Sequence, residues 1–260
     1  MSIWRYANPA EFMRLTGWLV GPLWAAAGVL LTIGTVWSLS VPPDYQQGIT
    51  VWILFIHVPA ALLAINTYAL MALASAIGLV RRHPVSFLVA KAAAPVGAAF
   101  TLIALVTGAV WGQPMWGTWW VWDARLTAVL IMFFFYLGYM ALWAAIEDDD
   151  KAADLSGVLC LVGVIFAFLS RYAVNFWATL HQGASLTLAE GQRVDDTYRL
   201  PLYLMMVAFY LLFAAILVTR ARTEIRQRRT KALRARADRA QEEASRPPPG
   251  PGQDEAGATA

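Results

Sequence analysis

The segment Trp116-Gly-Thr-Trp-Trp-Val-Trp-Asp-Ala-Arg-Leu-Thr127 sets four tryptophans, an aspartate and an arginine between two long apolar runs. Indoles gather at membrane interfaces, yet a short connection needs none of them to close. Crowded this tightly, Trp116, Trp119, Trp120 and Trp122 form a loop-borne shelf for a broad, flat, apolar ligand, and the neighbouring charges suit one that bears carboxylates. Trp111, Trp143 and Trp177 are set apart from this cluster and read as an interface belt.

Three histidines occur in the chain. His83, in Arg81-Arg-His-Pro84, has basic neighbours that repel a metal cation, and it reads as an ordinary loop residue. His57 lies in Phe55-Ile-His-Val-Pro-Ala-Ala61 at the mouth of a span, where Pro59 favours a helix start or a break close by. His181 follows a later span in Thr179-Leu-His-Gln-Gly183. Taken singly, His57 reads as a histidine bonded to a nearby carbonyl and His181 as a solvated interface residue. Taken together, on one side of the membrane with the aromatic shelf between them, they fit axial ligation of haem iron by neutral imidazole.

The charges near the shelf leave alternatives open. Asp123 and Arg125 make either a local salt bridge or a pair in which Arg125 holds a haem propionate and Asp123 orients the loop or an indole N–H. Arg171 lies near the end of an apolar run, where an unpaired charge costs several kcal/mol less what snorkelling recovers. A second propionate, Asp123 or a backbone carbonyl would each satisfy it, and Asn175, one helical turn on, could join any of these arrangements.

The elements that position these residues follow from composition. With 59% hydrophobic and 14% charged residues, the 260-residue chain is a polytopic membrane protein rather than a soluble domain. A helix needs about 20 apolar residues to cross a bilayer. Six stretches qualify: Gly17–Leu39, Trp52–Val80, Ala90–Trp111, Leu126–Ile146, Leu155–Trp177 and Leu200–Thr219. Lipid leaves no partner for unpaired backbone groups, so the expected fold is all-α, a six-helix bundle. Residues 1–16 form an N-terminal segment, 17–219 the membrane domain with its tryptophan loop at about 112–127, and 220–260 a basic, partly disordered tail. The first span reads as an uncleaved helix rather than a signal peptide.

Arg5, Arg14, Arg81, Arg82, Lys91, Lys151 and the arginine-rich tail fall on one side, so both termini are expected in the cytoplasm and the tryptophan loop outside. The tail's cations read as anchors against anionic headgroups or as orientation signals rather than a nucleic-acid site. Cys160, alone and within an apolar run, can form neither an internal disulfide nor a CxxC pair.

The six-span layout, the HVPAA context of His57, the WGTWWVWDARLT segment and the LHQG context of His181 together resemble the WWD haem-handling membrane proteins, and within them the cytochrome c maturation protein C family, over roughly residues 10–220. The resemblance implies a bacterial inner-membrane component of haem trafficking rather than an enzyme. In such proteins the two outward histidines, here His57 and His181, ligate haem b while the tryptophan loop cradles its face. The implied partners are a periplasmic haem chaperone (the E component), an ATP-driven transporter pair (A and B) and a small D component, besides membrane lipids and without nucleic acid. No GxxxxGK[ST] loop occurs in the chain, in keeping with ATP hydrolysis elsewhere. A haem lyase acting on apocytochrome, an electron-carrying cytochrome b subunit and a haem channel are the competing readings. The short length opposes the lyase, the histidine-free spans oppose the cytochrome b subunit, and the scarcity of polar stripes opposes the channel.

Overall fold

Lipid-exposed backbone must bond within its own segment, and the chain meets that demand with helices. The computed structural model describes residues 8–177 and 194–245. Its α-helices are α1 (Pro9–Thr16), α2 (Val20–Ser40), α3 (Leu54–Arg81), α4 (Pro84–Trp116), α5 (Ala124–Ala145), α6 (Asp149–Tyr172) and α7 (Asp196–Ser245). Short 3-10 turns at Ile49–Ile53 and Ala173–Asn175 lead into α3 and out of α6. Six of these segments are long and apolar enough to cross a membrane, as the sequence predicts.

Side chains decide where the helices begin, and these starts explain the boundaries that hydropathy misses. The Asp148 carboxylate accepts hydrogen bonds from the backbone N–H groups of Asp150 and Lys151, at 2.9 and 3.0 Å. Those bonds hold its pKa below the usual carboxylate value and start α6 six residues ahead of the apolar run. His83, expected to be an ordinary loop residue, caps α4: its Nδ1 accepts from Ser86 N at 3.1 Å, and Pro84 takes the first helical position. Pro59 falls inside α3 without ending it.

Neighbouring helices approach closely through small residues, as expected where lipid supplies no hydrophobic drive between them. The Phe87 ring fills the space a Cβ on Gly78 would need, Tyr136 does the same at Gly97, and Tyr68 with Phe135 at Gly163. Tyr136 Oη donates to the Ala64 carbonyl at 2.8 Å, tying α5 to α3 within the core. Around that bond cluster Tyr68, Met71, Met132, Tyr139 and Cys160 with the alanines of α3, α4 and α6. The free thiol of Cys160 is buried there.

Consecutive spans alternate in direction. One end of the bundle, the tryptophan end, carries the α2–α3 and α4–α5 connections. The basic end carries the α3–α4 and α5–α6 connections and the projecting part of α7. At 50 residues α7 is about 75 Å long, more than twice the hydrocarbon thickness. Several basic residues of the tail are engaged within the protein. Arg222 donates to the Met13 carbonyl and Thr16 Oγ1, Glu224 pairs with Lys91 at 2.9 Å, Arg228 pairs with Asp150, and Lys231 pairs with Asp149 at 3.0 Å. The acidic run after α5 is the counter-charge that holds α7 against the bundle as it leaves the bilayer.

Gly163→Ala should therefore destabilise the bundle by about 1–3 kcal/mol through overpacking against Tyr68 and Phe135. Gly28→Ala, whose added methyl meets nothing within 4 Å, should shift stability by no more than about 0.5 kcal/mol. Thermal unfolding of the two variants in detergent, followed by circular dichroism, compares them.

Candidate functional site

His57 sits in the first turn of α3, at the tryptophan end. Its Nδ1 lies 3.0 Å from Thr107 Oγ1 on α4. Thr107 Oγ1 also lies 2.6 Å from the Ile103 carbonyl, to which it donates. In the tautomer with the proton on Nδ1, His57 donates to the same oxygen and Nε2 carries the lone pair, the form in which a held imidazole ligates iron or zinc.

Two further residues complete this seat. Gly108 lies against the ring: a Cβ there would come within 3.0 Å of His57 Cε1. Trp111 packs edge-on to the imidazole, with ring centroids 5.7 Å apart, and its own N–H donates to Gln47 Oε1 at 2.9 Å. Trp111 therefore does more than line an interface belt: it joins the histidine to the α2–α3 connection. Trp143, also expected in that belt, packs against the core with Lys91 over its ring at 4.5 Å. Trp177 remains half-exposed.

The tryptophan shelf is more ordered than a loop. Trp116 is the last residue of α4 rather than a loop residue, and its ring lies over Gly112. Gly117 then takes a left-handed conformation, φ +75°, from which its N–H caps the Gln113 carbonyl at 2.9 Å; a side chain here would be strained. Trp120 and Trp122 meet edge to face at 5.6 Å. Trp119 and Trp122 are 61% and 76% exposed, so the shelf presents indole surface outward. Trp120 is half-buried, and among the described residues its indole N–H has no acceptor. A buried N–H of this kind calls for an oxygen ligand or water.

Asp123 is buried and caps α5, its Oδ1 accepting from Leu126 N at 2.7 Å. It fixes where the loop ends, matching the loop-orienting role among the sequence alternatives. Arg125, two residues on, lies within electrostatic reach of both Arg171 and Asp123. Arg171 occupies the last turn of α6, its guanidinium 5.7 Å from the Tyr172 ring centroid. The arrangement thus gathers two guanidinium groups and an unmet indole N–H beside a shelf of indoles. A flat apolar molecule with two carboxylates, such as haem, fits that donor set. His181 lies outside the described residues.

Residues 2–236 match the family model described as heme exporter protein C. The chain is 63% identical to heme exporter protein C of Paracoccus denitrificans over 92% of its own length and all of that protein. The corresponding protein of Rhodobacter capsulatus is 57% identical, over 91% of this chain and 98% of its own. That of Escherichia coli K12 is 43% identical, over 86% and 91%. This chain belongs to the heme exporter protein C family. The match takes in α1 to α6 and most of α7, so the histidine seat and the tryptophan shelf both fall inside it.

Asp123→Ala should cost about 1 kcal/mol through loss of the cap, whereas Asp123→Asn, which can still accept from Leu126 N, should keep most of it. Unfolding midpoints compare the stabilities, and intrinsic tryptophan emission reports the shelf. Equal losses in both variants would mean that charge, not capping, is what Asp123 contributes.

Proposed function

We propose that the chain binds haem b at the tryptophan end, on the periplasmic side of the bacterial inner membrane, and hands it to a periplasmic haem chaperone in the biogenesis of c-type cytochromes. The observation that carries this reading is the restrained His57 ring, bonded through Nδ1 to Thr107 and packed edge-on against Trp111 at the tryptophan end. Its relatives are named heme exporter protein C, which agrees with the same ligand.

In this reading His57 Nε2 and His181 ligate the iron from its two faces. The role of His181 rests on the family resemblance and on its place after the fifth span. Trp116, Trp119, Trp120 and Trp122 pack against the macrocycle, Arg125 and Arg171 hold the two propionates, and the Trp120 N–H donates to one of them. Asp123 positions the loop. Haem is cargo here, and its iron supplies only ligand exchange. The protein orients the molecule, excludes water from one face and leaves an edge open to the receiving protein. The chain is accordingly a transport component rather than an enzyme. It works beside an ATP-driven A and B transporter pair and a small D component, with the basic end in the cytoplasm.

Replacing the ligands tests this directly. His57→Ala and His181→Ala should each lower the haem that co-purifies and block chaperone loading, and a double variant with a normal Soret band and loaded chaperone would refute the ligand assignment. Thr107→Val removes the hydroxyl bonded to His57 Nδ1 and should weaken haem binding about 10–100-fold, read from a Soret titration, while the helical content stays unchanged.

A further inference from the structure

On the lipid-facing side of the bundle a groove of about 270 Å³ opens between α3 and α6. Leu62, Ile65 and Asn66 line it from α3, facing Val164, Phe168 and Arg171 on α6. Both sets recur at helical spacing, so each helix gives one continuous face to the groove. Asn66 Nδ2 donates to Tyr210 Oη, so α7 fastens the deeper end. From Val164 to Arg171 the groove rises roughly 10 Å along α6 toward the tryptophan end.

Acyl chains could wet the apolar walls, but they do not answer the charge at the top. Among the described residues the Arg171 guanidinium meets the Tyr172 ring and no carboxylate. A cation at the edge of an apolar groove favours an anionic amphiphile over a neutral lipid tail. It also stands within electrostatic reach of Arg125, which begins the helix directly after the tryptophan shelf. The groove therefore ends at Arg171, at the tryptophan end of α6.

We infer that this groove is a lateral port through which haem passes from the outer half of the bilayer to the shelf, its propionate drawn by Arg171. The inference rests on the haem-binding reading above and adds the route. The groove is too small for a whole porphyrin, so the macrocycle slides through edge-on with its carboxylates leading. Asn66 and the Tyr210 hydroxyl mark a polar floor that stops the ring from sinking toward the basic end. No covalent bond is made or broken along the way.

The test uses the full chain in lipid nanodiscs and compares two haem donors: vesicles with haem dissolved in the bilayer, and haem–albumin in water. Val164→Trp fills the groove from a position already 37% exposed, and Val162→Trp, 59% exposed and outside the groove lining, is the matched control. The initial Soret-detected rate from vesicles should fall at least tenfold in Val164→Trp, with the rate from haem–albumin and the final amplitude unchanged. Val162→Trp should load as wild type. Phe168→Ala widens the groove and should load from vesicles at least twofold faster, which keeps the test open should the tryptophan variant fold poorly. Wild-type rates from vesicles in both groove variants would overturn the port. Equal slowing of Val164→Trp from both donors would also overturn it, by making the groove part of the binding site. A wild-type chain that develops no Soret band from either donor would instead sink the haem site itself, and the port with it.

Discussion

The bond from His57 Nδ1–H to Thr107, with Thr107 in turn donating to the Ile103 carbonyl, gives the tryptophan end its chemistry. A histidine left to choose its own tautomer at a membrane edge presents either nitrogen and rotates freely. Here the Thr107 hydroxyl engages Nδ1 and restrains the ring, and with the proton on Nδ1 the lone pair falls on Nε2. That constraint needs the start of α3 and the end of α4 to lie side by side. The short Arg82-His83 connection enforces the pairing: twenty-five residues back from Arg82 is His57, and twenty-five residues on from His83 is Gly108. Gly108 then admits the ring at a distance a methyl group would contest.

The same device recurs through the bundle and makes the seat rigid. Gly78, Gly97 and Gly163 each admit an aromatic ring from a neighbouring helix into space a Cβ would fill. The rings transmit position from helix to helix, because a packed aromatic cannot shift without displacing its neighbour. Through Tyr136 and its bond to the Ala64 carbonyl, α5 is registered against α3, and so Arg125 and the shelf are registered against His57. At the basic end, the pairs of Arg228 and Lys231 with the acidic run set α7 in the same frame.

Much of this was legible in the sequence because lipid permits so few answers. Six apolar runs, their alternation and the isolation of the tryptophan cluster follow from length, charge and hydropathy. The helix boundaries were less legible, since Asp148 and His83 begin α6 and α4 with side-chain caps that hydropathy does not register. Trp116 was placed in the loop because the apolar run ends at Trp111, yet α4 continues through Gly112 and Pro114 to Trp116. Thr107 escaped notice and Trp111 was read as interface belt because their meaning lies in a partner on another helix. Mirror counting from the Arg82-His83 turn would have found them. Arg228 and Lys231 looked like headgroup anchors because their counter-ions lie some eighty positions earlier in the chain.

The openness of the shelf is itself a consequence of carrying cargo rather than keeping it. Enclosing a porphyrin on both faces would bury more apolar surface and slow release, since affinity differences appear mostly in dissociation rates. This site divides the work. Trp116 and Trp120 are half-buried, where the proposed function has them seat one region of the ligand, whereas Trp119 and Trp122 are exposed. The guanidinium groups of Arg125 and Arg171 add a second division, because two cations within reach of each other are better tolerated when carboxylates lie between them. In the proposed function the ligand's carboxylates supply that offset at the ends of α5 and α6, and attraction that depends on carboxylates rather than on enclosure leaves one face of the cargo within reach of the next protein.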